Sequence, residues 1–161
     1  NYGETFAREV LGLGLGRWCT CSNYIGEAID HAAGLGFRSL LLVGHVGKFC
    51  KVAAGVMNTH SRVADGRRET LCTHAALCGG DRATVEALYR TITTDDAGAV
   101  LDGAGLREAV MASLTQALDE QLKRRAGAEM AIEAIFFSNR YGILGKTAGA
   151  DRLSALHPIS S

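Results

Sequence analysis

Between Gly44 and Asp65 the chain concentrates the residue types that hold a small anionic ligand. The segment Val43-Gly44-His45-Val46-Gly47-Lys48 passes from an apolar run into helical composition, and glycines at such a turn let backbone N–H groups approach a carboxylate or phosphate at a helix N-terminus. It is not a Walker A loop, because Leu42 stands where the first glycine belongs and Phe49 replaces the Ser or Thr that would hold magnesium. A tight structural turn has the same composition, so both readings stay open. Further on, Met57-Asn58-Thr59-His60-Ser61 and then Asp65 bring together amide, hydroxyl, imidazole and carboxylate groups. Polar clusters at a strand's carboxyl end are where open α/β sheets bind ligands; Asn, Thr and Ser here would equally cap a helix starting near Val63.

Charge points to the same stretch. The formal net charge is zero, which offers nucleic acid or an anionic membrane no overall attraction, but Arg38, Lys48, Lys51, Arg62, Arg67 and Arg68 face the single acid Asp65, leaving this part at +5. An anionic partner should meet it. The five cysteines, Cys19, Cys21, Cys50, Cys72 and Cys78, are odd in number and read as free thiols of a reducing cytosol. A zinc site from Cys72, His74 and Cys78 is disfavoured by spacing that scatters them around a helix, and a Cys50–His45 nucleophilic pair lacks an orienting third residue. In Leu11-Gly12-Leu13-Gly14-Leu15-Gly16 the glycines alternate without the dinucleotide-binding spacing, so the run reads as a connector.

These groups need a frame. Ser39 to Val43 is a continuous apolar run between Gly36 and Gly44, the pattern of a strand covered on both faces, and it leads through a loop into a short helix at about Val46 to Ala54. Arg17 to Cys21 and Glu129 to Phe137 are the other expected strands, with Ser138 to Gly145 as a loop. The first of these, the helix beginning after Ser22 or Asn23, and Ser39 to Val43 would form a right-handed parallel crossover. Helices are expected over Glu4 to Leu11, Ala64 to Leu77 and Arg82 to Ile92, the last behind the N-cap Asp81, with Thr93 or Thr94 capping another. Leu106, Val110, Leu114, Leu118 and Leu122 recur every four residues and mark the longest helix, which ends in the dipole-compensating Lys123, Arg124 and Arg125 before Gly127. The fold class that follows is α/β, a three-layer α/β/α domain with a small, mostly parallel sheet. Hydrophobic residues at 47% support a real core, and no apolar run approaches the ~20 residues of a membrane helix.

Asn1-Tyr2-Gly3, Cys21-Ser22-Asn23-Tyr24-Ile25-Gly26-Glu27, the run from Leu41 to Lys48, that from Lys51 to Asp65, and Phe137-Ser138-Asn139-Arg140-Tyr141-Gly142 resemble, in this order, the carboxyl half of the cobalt-precorrin-5B (C1)-methyltransferase family. The resemblance implies transfer of a methyl group from S-adenosylmethionine to ring carbon 1 of a cobalt-containing tetrapyrrole, giving cobalt-precorrin-6A in cobalamin synthesis. It implies a C-terminal domain over residues 1–145, a tail over 146–161, a further amino-terminal domain outside this chain, a cytoplasmic setting, and no membrane or nucleic-acid partner. The metal is expected inside the substrate rather than on protein ligands. Binding residues expected on this basis are Asn23, Glu27, Gly44, His45, Gly47, Lys48, Lys51, Asn58, Thr59, Ser61, Ser138 and Asn139, with His60 or Asp65 moving a proton. A noncatalytic domain that binds substrate or donor, and an unrelated phosphate or nucleotide enzyme using the Gly44 turn, are the competing readings; homo-oligomeric assembly stays open.

Overall fold

The computed structural model describes residues 2–14 and 16–158; Asn1 of the first motif, Leu15 of the glycine-alternating run and the last three residues lie outside them. Among the described residues the order is α1 (Tyr2–Glu9), α2 (Ile25–Gly34), β1 (Ser39–His45), α3 (Val46–Ala53), α4 (Arg67–Leu77), α5 (Arg82–Tyr89), α6 (Thr94–Gly103), α7 (Arg107–Ala126), β2 (Ala131–Ser138), β3 (Gly142–Lys146) and α8 (Ala150–Ser154).

The sheet has the order β1-β2-β3, with β1 parallel to β2 from Ser39 opposite Ala131 to His45 opposite Phe137, and β3 antiparallel to β2. Side-chain alternation then sorts the helices. Leu42, Ile132, Ala134 and Phe136 join one core with Phe49 and Val52 of α3 and Val110, Leu114, Leu118 and Leu122 of α7. On the opposite face Phe137 stacks flat on Phe6 of α1 at 3.8 Å, and α8 packs across β1 and β2. Helices therefore cover both faces, as the α/β expectation requires. The four-residue leucine ladder of α7 is fully buried from Val110 to Leu122, which is why this long helix forms the floor of the main core.

Three local expectations fail. Arg17 to Cys21 is not a strand: the chain turns at Ser22, whose φ is +52°, and Trp18 and Cys19 are exposed, so only Cys21 of this stretch packs on the core. The proposed crossover through it is therefore absent. Ser138 to Gly145 is not all loop but a hairpin, since β3 pairs with β2 across a register irregularity at Phe136/Phe137. Gly145 is needed there, because a Cβ would run into the Phe136 ring and Thr115. Nor is there a loop between β1 and α3, where strand passes directly to helix.

Beyond β3, Thr147 and Gly149 turn the chain onto the sheet. The buried Glu133 carboxylate accepts from the Thr147 hydroxyl and from Gly149 N–H at 3.0 Å, so the segment leading into α8 is tied to the middle of β2.

Candidate functional site

The β1–α3 junction is shaped by packing and by one imidazole. His45, in extended conformation, is the N-cap of α3, and its Nδ1 accepts Gly47 N–H at 3.2 Å. A neutral ring bonded in this way carries its proton on Nε2, which leaves His45 a donor. Burial is the main influence lowering its pKa; nearby Asp95 opposes this, while Arg67 and Lys48 reinforce it. The glycines serve contacts: a Cβ on Gly44 would lie 2.8 Å from the Phe49 ring, and one on Gly47 would lie 3.4 Å from His45 Nδ1 and 3.7 Å from Thr94. The first turn of α3 thus gives the Gly47 N–H to its own cap.

A second group of candidates holds two loops together. Thr59 is buried; its N–H donates to Asn23 C=O at 2.9 Å and its hydroxyl to Asn23 Oδ1 at 3.1 Å, while Tyr24 and Asn58 form an isolated bridge. Lys51, only 4% exposed, donates its ammonium to Thr59 C=O and Ala64 C=O, both at 3.0 Å. Expected to meet a ligand, Lys51 instead binds its own chain, because a buried ammonium requires acceptors and two loop carbonyls supply them. Asn58 Oδ1 accepts His60 N–H and His60 Nδ1 accepts Arg62 N–H, each at 3.1 Å, so that in the exposed His60 ring Nε2 takes no part in these turn bonds. Ser61 is exposed beside it. Lys48 donates to Ser22 C=O at 2.7 Å and so braces the turn before α2.

The remaining polar groups meet where α4 and α6 begin. Asp65 and Arg67 form a bidentate pair (2.7 and 2.9 Å), and this hydrogen bonding draws the Asp65 carboxyl down to about 2. Asp65 accordingly stays ionised and weakly basic, and it holds Arg67 in place. Arg68 donates to Tyr89 C=O at 3.3 Å and lies over the Tyr89 ring. These residues, with Leu71 and Thr91 to Thr94, line a cavity of about 230 Å³. Thr93 and Asp96 form the capping box of α6, and Asp95 keeps a buried oxygen, Oδ1, without a hydrogen-bond partner. On the other side Ser138 is buried and accepts Tyr141 N–H at 2.9 Å, turning the hairpin so that the Tyr141 ring rests against Gly98 of α6 with Arg107 above it at 4.3 Å. Asn139 is exposed in that turn. Glu27 belongs elsewhere: it is exposed on α2, and Arg125, which pairs with Asp30, is the cation whose pKa it helps to raise.

The structure therefore brings His45, Gly47, Arg67, Thr94 and Asp95 together, separates Glu27 from them, and uses Asn23, Lys51 and Thr59 as loop pins. Covalent catalysis through Cys50 has no support, since complete burial pushes its thiol up to about 12. Cys72 donates to Val85 C=O and His74 shares a hydrogen bond with Ser113, so these two face different neighbours; among the described residues no three His, Cys, Asp or Glu side chains converge as metal ligands. No helix of the described residues is long and apolar enough to cross a membrane.

Residues 58–148, more than half of the chain, match the family model described as CbiD, C-terminal domain. This chain belongs to that family. Among relatives named cobalt-precorrin-5B C(1)-methyltransferase, the protein of Ruminiclostridium cellulolyticum is 42% identical over 139 residues, covering 86% of this chain and 36% of the relative. That of Tolumonas auensis is 39% identical over 140 residues (86% and 37%), and that of Clostridioides difficile 34% over 155 residues (95% and 38%). The chain thus spans well under half the length of these relatives. No solved structure shows a significant match.

Within this family domain, the cavity wall from Thr91 to Thr94 is what sequence reasoning overlooked. Thr93 and the two aspartates after it announce a capped helix, and the capping box is there. Nothing local announces that this helix start packs against the first turn of α3.

Proposed function

We propose that this chain is the C-terminal domain of a cobalt-precorrin-5B C1-methyltransferase and contributes the surface that holds the acidic arms of the tetrapyrrole. The supporting observation is the rim of Arg67 and Arg68 around a threonine-lined cavity, with His45 close enough to Arg67 to feel its charge. At about 230 Å³ the cavity falls below the ~300–1,000 Å³ of pockets that enclose whole ligands, so it suits a carboxylate arm rather than a macrocycle or a nucleoside. Guanidinium and hydroxyl donors bind carboxylate oxygens through charge-assisted hydrogen bonds, and His45 Nε2–H adds a neutral donor at the strand end.

S-adenosylmethionine supplies the methyl group: the bond from its sulfonium sulfur breaks as the bond to ring carbon 1 forms, and the step is accelerated mainly by holding the reacting atoms about 3 Å apart without water. In this reading Arg67, Arg68 and Lys48 fix the acceptor, Asp65 orients Arg67, and His60, through Nε2, exchanges a proton with the macrocycle. At the Gly44 to Lys48 junction His45 already takes the Gly47 N–H. In this reading the donor is held by polypeptide of the kind that makes the relatives longer. The cytoplasmic setting belongs to the same proposal.

Calorimetric titration of this chain with a cobalt corrinoid carrying free carboxylates, and separately with S-adenosylhomocysteine, tests the division of labour. Corrinoid binding that disappears in Arg67→Ala/Arg68→Ala is the expected result. Binding of the nucleoside alone would overturn it.

A further inference from the structure

β1 has the sequence of an interior strand and the position of an edge. Leu40 to Val43 is unbroken and apolar, yet in the order β1-β2-β3 the strand has a neighbour on one side only. Its exposure agrees with its position: only Leu42 is buried, and the other six residues are half-exposed, whereas β2 is buried from Ile132 to Ser138.

The backbone shows which groups are open. Ala131 N–H donates to Arg38 C=O, so Arg38 points its main chain at β2; sides alternate along a strand, and Ser39, Leu41 and Val43 must point theirs outward. Among the described residues no other strand pairs with β1. Edges left to solvent are ordinarily blunted by charge, proline, a bulge, shortness or a covering helix or loop, and the helices α1 and α8 that contact β1 lie on the face where Phe6 stacks on Phe137. β1 has seven residues, no Asp, Glu, Lys, Arg or Pro, and an uninterrupted register with β2.

We propose that the outer edge of β1 is a docking edge for one extended strand, supplied by polypeptide of the kind that the relatives carry outside the matched stretch. This chain spans only 36% of the Ruminiclostridium cellulolyticum relative, so such polypeptide exists in quantity. A second copy is the weaker occupant: one strand pair buries far less than the roughly 1,200 Å² of a stable interface, whereas a tethered segment meets the edge at about millimolar effective concentration. One end of the docked strand lies beside His45 and walls that side of the candidate site. The inference stands on the sheet alone and does not rest on the methyl-transfer reading.

Residue-resolved hydrogen exchange on this chain at two concentrations, and on the full-length Ruminiclostridium cellulolyticum relative at the corresponding positions, tests it. The amides of Leu40, Leu42 and Gly44 should be slow in both proteins. Those of Ser39, Leu41 and Val43 should be fast in this chain and slowed by at least about tenfold in the longer protein. Equal fast exchange in both would overturn the proposal, as would protection already present in this chain; protection that grows with concentration and is lost in Leu41→Pro would assign the edge to a second copy instead.

Discussion

Lys51 and Arg68 belong to one positive stretch of sequence and have opposite surroundings. Lys51 lies inside the protein with its ammonium on two loop carbonyls, whereas Arg68 lies over an exposed tyrosine at the edge of the cavity. Local charge therefore indicates where an anion is welcome only after the cations used by the fold have been set aside. Around Lys51, Asn23 and Thr59 each polar group answers another, and the product is a fixed loop. Arg67 is paired with Asp65 and Arg68 with Tyr89 C=O, but both border open volume, and each guanidinium keeps further N–H donors for a ligand.

Breaking the closed region should have the largest effect. Lys51→Met removes the donor to Thr59 and Ala64 and should cost about 3 kcal/mol in urea unfolding, from the buried carbonyls left unpaired. If stability were unchanged while corrinoid binding fell, Lys51 would belong with the open rim. Next, Arg67→Ala/Arg68→Ala, placed at the corresponding residues of a full-length relative, should lower kcat/KM by about 100-fold through lost charge-assisted contacts, with unfolding free energy changed by no more than about 1 kcal/mol. A stability loss as large as that of Lys51→Met would erase the distinction between the regions.

His45 stands between them. His45→Ala should cost about 1 kcal/mol by uncapping α3, and His45→Asn should recover most of it. Burial depresses the folded-state pKa of His45, so the unfolded chain binds its proton more readily: the associated stability is present above the unfolded value near 6.5 and lost as pH falls through the folded one. Unfolding titrations at pH 7.5 and 5 should show this slope in the native chain and less of it in His45→Asn. The smallest effect is a titration midpoint. The Asp65 carboxyl should titrate at about 2 by NMR and move toward about 4 in Arg67→Ala, its contribution to stability being present above about 4 and lost as pH falls toward 2.

Periodicity and caps carried most of the fold. The α7 leucine ladder, the apolar run of β1 and the caps at Asp81 and Thr93 are signals complete within a few residues, and each produced its element. β3 escaped because Gly142 and Gly145 read as turn residues, although Gly145 is there to admit the Phe136 ring. Arg17 to Cys21 misled because strand-like composition is satisfied only by a neighbouring strand, and neighbours are a tertiary property. In the candidate site the residue types around Gly44 and Asn58 were visible; which of them turn inward, as Lys51 and Thr59 do, depends on loops that meet only after folding.

The tie from Glu133 to Thr147 and Gly149 bears on where this domain can be cut. Ending the chain at residue 148, where the family match stops, would take away the Gly149 donor to a carboxylate buried in the central strand, and starting it at Asn58 would discard β1 altogether. The boundaries of the family match are thus not those of a folding unit: a shortened version that keeps its structure must retain β1 at one end and run through α8 at the other.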